Sequence, residues 1–250
     1  MPQPRTRIAA HRGGAILWPE NSPTAFRNAA RLAVEQVELD AHLSADGAVV
    51  VIHDATLDRT TEASGPVRAQ SLAALRGTRL KGTGGEAVPT LAEVAAIFRE
   101  TPIGLRLELK RDAQGNPYPD LLPRVTAVLE EAGIRARTTI TSFAAPLAGE
   151  AARHGGFADA IWLVSLGCWR DLGAAGVQAA ARAWDLPAVG LHQSVCEAGA
   201  LRALREAGLA VGAWAVNEAE AMRRMLALGV DVFTTDDPLT ALALRAGEAA

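Results

Sequence analysis

Short runs of Val, Ile, Leu and Ala recur along this 250-residue chain, and most are followed by an Ala-, Leu- and Arg-rich stretch of helical length. Apolar runs bounded by turn signals read as buried strands and 3.6-residue spacing reads as amphipathic helix, so the alternation predicts βα units on a parallel sheet. Strands are expected at 7–10, 36–40, 49–53, 104–109, 138–142, 160–165, 187–191, 209–215 and 231–235. Nine is one more than a closed (β/α)8 barrel needs. One strand is therefore short, shared or outside the ring, and 160–165 and 187–191 carry the weakest patterns. Helices are expected at 22–34, with Ser22 as N-cap and Pro23 in the first turn, and at 90–100, 120–132, 145–154, 170–183, 195–207, 217–228 and 238–246. Gly133 and Gly208, after "EEA" and "REA", read as residues just past a helix end.

No domain boundary interrupts the series, so residues 1–250 are expected to form one barrel domain. The long irregular stretch is 54–88, after the third strand, rich in Gly, Thr and Ser with only 71–76 helical in pattern. Such a stretch reads as a small insertion or functional loop region. Residues 41–47 hold no helix signal, and "ADG" at 45–47 is a turn. Strands 36–40 and 49–53 should therefore lack a crossover helix. Seven extended residues span ~23–25 Å, enough to return to the barrel floor and climb again to the rim.

Against this apolar pattern, several polar residues stand out. In "VELD", Glu38 and Asp40 are two apart and share one strand face. Two such carboxylates repel unless a cation sits between them, or unless they simply reach water at a strand end. In "LRLELK", Leu105, Leu107 and Leu109 take one face and Arg106, Glu108 and Lys110 the other. A parallel barrel has one strand face on the helices and one looking inward, so Glu108 is available beside Glu38 and Asp40 at the C-terminal rim. Carboxylates alone favour a hard ion, Mg²⁺ or Ca²⁺, over zinc. His11 and His53 end the first and third strands; a pair of rim histidines fits acid and base duty near neutral pH. Arg12 and Lys110 add positive charge there, suiting a phosphate. His42 is read as a surface residue or a support behind the site. His154 is read as a helix C-terminal cap, and His192 as either a pocket wall or a packed residue.

Composition narrows the class. The chain is 49% hydrophobic and 21% charged with net charge −3, and its 25 Lys and Arg are scattered, which excludes a nucleic-acid footprint. Only Cys168 and Cys196 are present, so neither a disulfide framework nor a Cys-rich zinc site is implied. The opening "MPQPRTRIAAHRGG" has no apolar core of a signal peptide, and no segment approaches ~18 unbroken apolar residues. A cytoplasmic protein without a membrane span is expected.

Taken in order, "HRGG…PENS…AF" at 11–26, "ELD" at 38–40, "DG" at 46–47, "VVIHD…LDRTT…G" at 50–65, "PTLAEV" at 89–94, "LELK" at 107–110, "SF" at 142–143, "WAVN" at 214–217 and "TTDDP" at 234–238 resemble the glycerophosphodiester phosphodiesterase family, of the bacterial cytoplasmic type. The resemblance implies an α/β TIM (β/α)8 barrel of the phospholipase C-like phosphodiesterase type. It implies metal-dependent hydrolysis of glycerophosphodiesters, such as glycerophosphocholine or glycerophosphoethanolamine, to sn-glycerol 3-phosphate and an alcohol, a step in lipid and glycerol metabolism. By position, it implies His11 and His53 as general acid and base, and Glu38, Asp40 and Glu108 as ligands of one divalent cation. Arg12 and Lys110 match phosphate contacts, and Trp214 a wall for the glycerol. Glu20 and Asn21, in "PEN", match residues that shape the loop after the first strand. The partner implied is a small-molecule substrate, for a monomer or homodimer.

The sequence departs from the family pattern at Ser22 and Ala215, where Thr is commoner, and at Ala144, where an acidic residue is frequent. It also departs in "RLAVEQV", which lacks the usual Gly and Asp. No catalytic or metal position is lost. Three alternatives follow the same residues less well: a lysophospholipase D-like enzyme with an acyl groove near 54–88 or 162–170, a phosphatidylinositol phospholipase C-like enzyme, and a non-catalytic phosphodiester-binding barrel.

Overall fold

The apolar runs form nine strands: β1 (Arg7–Ala10), β2 (Gln36–Leu43), β3 (Val49–Val51), β4 (Gly104–Leu109), β5 (Thr138–Ser142), β6 (Asp159–Val164), β7 (Ala188–His192), β8 (Ala210–Trp214) and β9 (Val232–Thr235). The structure is a computed structural model that describes residues 5–247. Residues 1–4, part of the segment read as lacking a signal peptide, and 248–250 lie outside the described residues. Eight strands run in the order β1-β9-β8-β7-β6-β5-β4-β2, and β1 also pairs with β2, closing a parallel barrel. Nine helices are described: α1 (Pro23–Ala29), α2 (Leu72–Gly77), α3 (Leu91–Phe98), α4 (Leu121–Glu131), α5 (Ala145–His154), α6 (Leu166–Ala183), α7 (Ala198–Glu206), α8 (Ala219–Leu228) and α9 (Pro238–Gly247). Among the described residues, no helix is long and apolar enough to cross a membrane.

The ninth strand is β3, not one of the two with weak patterns. β6 and β7 both belong to the ring, whereas β3 pairs antiparallel with β2 through Ala41↔Val51, His42↔Val50 and Leu43↔Val49. The expected return to the barrel floor does not occur. β2 runs on past Asp40, and residues 44–48 turn it back as a hairpin, with Ser44 N–H donating to Ala48 O (3.0 Å). Gly47 takes φ +81°, a left-handed conformation that favours glycine at this turn. Descending β3 delivers His53 to the level of Asp40, whose carbonyl accepts from Ile52 N–H (3.1 Å).

Alternation along the strands divides the interior. Val37, Leu39 and Ala41 of β2, with Leu105, Leu107 and Leu109 of β4, lie in the main core between barrel and helices. Each fully buried Leu or Val there contributes about 1.5–3 kcal/mol. The intervening residues face into the barrel, where the register sets Glu38 opposite Arg106 and Asp40 opposite Glu108. The inner face of β6 to β8 is apolar instead, with Ile161, Leu163 and Ala188 clustered against Ala210 and Trp214. The barrel interior is thus polar on the β2–β4 side and apolar across from it.

Helix boundaries follow local chemistry. Ser22 Oγ accepts from Ala25 N–H at the start of α1, but α1 ends at Ala29 rather than 34. There Arg31 and Leu32 N–H bond three residues back, tightening the last turn before β2. α6 begins four residues earlier than expected because Ser165 caps it, accepting from Cys168 N–H, and it breaks at Gly173 (φ +57°). Gly133 and Gly208 take positive φ past α4 and α7. Residues 54–88 wrap a second apolar cluster that includes Ile52, Leu57, Val67, Leu75 and Val88.

Candidate active site

Glycine chemistry shapes the first rim loop. After β1 the chain makes a tight turn over His11–Gly13, with Arg12, Gly13 and Gly14 all at positive φ. A Cβ at Gly13 would lie 2.9 Å from Ala25 Cβ, so "HRGG" lets the loop fold flat against α1. Asn21, also at positive φ, donates its backbone N–H to Arg12 O (3.0 Å) and its side-chain Nδ2 to Asp40 Oδ2 (2.7 Å). Glu20 accepts from Arg12 Nη1 (2.9 Å). The "PEN" segment thereby fixes the loop to the floor of the site.

The three carboxylates are buried: Glu38 is 4% exposed, Asp40 0% and Glu108 7%. Glu38 Oε2 accepts from Arg12 backbone N–H (2.9 Å) and lies 3.8 Å from His11 Nε2. Lys110 Nζ sits between Glu108 Oε1 (2.8 Å) and Asp40 Oδ1 (3.0 Å), and Arg12 Nε is 3.6 Å from Asp40 Oδ2. Each histidine holds an acid through Nδ1: His11 to Asp236 Oδ1 (2.6 Å), and His53 to Asp54 Oδ1 (2.6 Å). A carboxylate only accepts, so Nδ1 carries the proton and Nε2 is left free for other chemistry. Asn217 Nδ2 donates to Asp236 Oδ2 (2.6 Å). Arg59 clamps the other side, giving two hydrogen bonds to Asp54 (2.7 and 2.9 Å) and two to Glu20 (2.7 and 2.8 Å).

A cavity of about 270 Å³ opens among His11, Arg12, Glu38, His53, Glu108 and Trp214. Its apolar wall is Leu163, Phe143 and Trp214, the last two edge to face at 5.3 Å. All ten residues singled out from the sequence therefore meet at one end of the barrel. His42 is not a surface residue: it is 1% exposed, between Tyr118 Oη (2.8 Å) and the His53 carbonyl (3.1 Å), and it supports His53 from behind. His154 does not cap α5. Its ring accepts from Arg135 Nη2 (2.8 Å), while Gly155 N–H bonds Ala151 O. His192 packs on Trp214 at 4.6 Å and is not part of the cavity wall.

Burial and neighbouring charge set the protonation of the cluster. Burial and then Asp40 push Glu38 up to about 7. Burial acts the same way on Asp40, but Lys110, His53 and Arg12 outweigh it and hold that carboxyl below its usual range. Burial opposes the charge on Lys110, and Asp40 with Glu108 overrides it and raises its pKa. His11 is also opposed by burial, yet Glu38 and Asp236 raise it. His53 is lowered, chiefly by burial, with Lys110 and Arg12 adding to the effect.

Glu38, Asp40 and Glu108 offer oxygens that lie within 4.8 Å of one another. Asp40 Oδ1 accepts no hydrogen bond, and Lys110 touches it as a charge contact only. An oxygen-only set with an unsatisfied buried oxygen and one carboxylate driven toward neutrality fits a hard divalent cation.

Sequence reasoning passed over Asp54, Asp236, Asn217 and Arg59, and it placed Arg106 on the polar strand face without giving it a role. The two aspartates were quoted within "VVIHD" and "TTDDP", and the usable signal was that an orienting carboxylate commonly stands behind a proton-transferring histidine. Arg106 is 2% exposed on the cavity floor with Nη1 unpartnered.

A profile of the Glycerophosphoryl diester phosphodiesterase family matches residues 11–240. The glycerophosphodiester phosphodiesterase of Caldanaerobacter subterraneus is 29% identical over 96% of this chain and 98% of its own length; that of Bacillus altitudinis is 29% identical with the same coverages. A crystal structure from Agrobacterium tumefaciens superposes with a TM-score of 0.96 at 35% identity, covering 98% of this chain and 99% of the other. An Oleispira antarctica phosphodiesterase, solved with the product sn-glycerol-3-phosphate, shares the fold at a TM-score of 0.83 and 24% identity, covering 96% of each chain.

Proposed function

The chain belongs to the glycerophosphoryl diester phosphodiesterase family and is a phosphodiesterase, and from that premise we propose that it hydrolyses glycerophosphodiesters to sn-glycerol 3-phosphate and an alcohol by paired histidine acid and base catalysis at a divalent cation. The observation that carries this reading is the pair of His–Asp contacts, both 2.6 Å, beside three buried carboxylates.

Glu38, Asp40 and Glu108 would hold the ion, Mg²⁺ or Ca²⁺. When bound, it supplies Lewis-acid chemistry, neutralising charge on the phosphate oxygens and acidifying the attacking hydroxyl or water. One of His11 and His53 takes the proton from the attacking oxygen at Nε2, and the other gives one to the leaving oxygen. Asp236 and Asp54 keep each Nδ1 protonated and stabilise the imidazolium form as it arises. Arg12 and Lys110 stabilise charge growing on the phosphoryl oxygens. Glu20 and Asn21 hold Arg12 and Asp40 in place, the latter through the 2.7 Å Asn21 bond. Trp214, with Phe143 and Leu163, shields the glycerol from water.

Replacing His11 or His53 by Ala should each lower kcat by at least ~10²-fold in release of sn-glycerol 3-phosphate from glycerophosphocholine. Undiminished turnover in both variants would sink the assignment. The Oleispira product complex supports a glycerol phosphate as the product to measure.

A further inference from the structure

A second cavity, of about 380 Å³, adjoins the central one and shares Glu108 and Phe143 with it; Lys110, Arg111, Ser142 and Ser165 complete its polar wall. Its charge is lopsided. The one carboxylate on that wall, Glu108, is tied to Lys110 Nζ at 2.8 Å. Arg111 is exposed and forms no ion pair among the described residues. Asp112, its chain neighbour, spends Oδ1 on the N–H groups of Gln114 (3.0 Å) and Asn116 (2.8 Å) and does not line the cavity. Ser165 Oγ accepts from Cys168 N–H, which leaves its own proton to donate. Ala144, also on the wall, brings no charge, and it precedes the uncapped first turn of α5, a partial positive charge. The glycerol wall of Trp214 and Leu163 belongs to the first cavity alone. A phosphodiester lying where the two cavities meet therefore has its two alcohols facing surfaces of different character.

We propose that the second cavity receives the leaving alcohol and that it selects an anionic one, carrying a carboxylate, over a cationic one carrying an ammonium. This rests on the phosphodiesterase reading above. Ser142 gives its hydroxyl proton to Leu109 O (3.0 Å), so the Ser165 hydroxyl and the Arg111 guanidinium, with no unpaired acid on the wall, are what attract a carboxylate and repel an ammonium at the rim, where the field is partly screened by solvent.

The test uses three substrates built on one frame, whose leaving alcohols end in an ammonium, a neutral amide and a carboxylate: sn-glycero-3-phosphoethanolamine, its N-acetyl derivative and its N-succinyl derivative; they also lengthen in that order, so the Arg111 variants separate charge from size. Release of sn-glycerol 3-phosphate is measured for each. In the unaltered enzyme, kcat/KM should rise from ammonium to neutral to carboxylate, with at least about a threefold span, as one partly screened charge contact provides. Arg111→Gln should flatten the series and Arg111→Glu should invert it. Added salt should compress it. A merely structural role for Arg111 would lower all three rates alike. Equal rates on the three, or fastest release from the ammonium substrate, would overturn the proposal while leaving the phosphodiesterase reading intact. No release from any of them would overturn that reading, and the proposal with it.

Discussion

Replacing Asp236 by Asn removes one negative charge and almost nothing of its shape. Asp236 Oδ1 takes the Nδ1 proton of His11 at 2.6 Å, and Oδ2 accepts from Asn217 at 2.6 Å. In Asp236→Asn the amide keeps one oxygen. If Asn217 continues to hold that oxygen, an NH₂ group faces His11, and the imidazole proton must move to Nε2. That nitrogen then cannot accept, and an imidazolium loses its counter-charge. A hydrogen bond to a charged group contributes about 1.5–3 kcal/mol, so kcat should fall roughly 10- to 150-fold, with KM changed little. Stability should shift by under about 1 kcal/mol, because the side chain is 27% exposed and its shape is kept. The sign of the pH effect also follows. Burial lowers the pKa of His11, while Glu38 and Asp236 raise it. Losing the Asp236 charge removes part of the rise, so whichever limb of the pH–rate profile reports His11 moves to lower pH. Steady-state release of sn-glycerol 3-phosphate between pH 5 and 10, beside urea unfolding, measures all of this. A kcat within about threefold of the unaltered enzyme, or a limb that moves upward, would refute the reasoning.

Two further substitutions probe the supports of His53. Arg59 holds Asp54 below its usual pKa, against burial, with His53 helping. A lowered folded-state pKa gives stability that is complete above the unfolded value, about 4, and is lost as pH falls through the folded value. The melting-temperature deficit of Arg59→Ala should therefore be largest near pH 7 and shrink toward pH 3; a deficit independent of pH contradicts the clamp. Burial lowers His42 to about 4, so at neutral pH its Nε2–H donates to the His53 carbonyl and Nδ1 accepts from Tyr118. Tyr118→Phe leaves that nitrogen buried and unpaired, and should cost about 1–3 kcal/mol in urea unfolding. An unchanged midpoint would argue against that tautomer.

The polar half of the site was legible because it breaks the strand pattern. Glu38, Asp40, Arg106 and Glu108 occupy inner-face positions where an ordinary buried strand would carry Val or Ile, and the register that pairs Asp40 with Glu108 follows from the same alternation. β7 was weak in the sequence for the opposite reason: Gly190 sits against Leu163, where a Cβ would stand 2.8 Å from Cδ2 unless that side chain shifted, and the glycine dilutes the apolar signal. The course of β3 was not legible. "VVVIHD" declares a strand but not its partner, and a hairpin or a return crossover satisfies the same seven-residue connection. Asp236 and Asp54 were hidden differently. His11 and Asp236 are 225 residues apart, and only closure of β1 onto β9 brings them together. Arg59 reaches Glu20 across the fold of 54–88, which periodicity does not describe.

The most direct measurement is release of sn-glycerol 3-phosphate from glycerophosphocholine by protein stripped with EDTA, before and after adding back Mg²⁺ or Ca²⁺, with Glu38→Ala run alongside. The account predicts no turnover in the stripped protein, recovery with at least one of the ions, and no recovery in a folded Glu38→Ala variant. Full turnover without any divalent ion, or undiminished turnover in the variant, would contradict it.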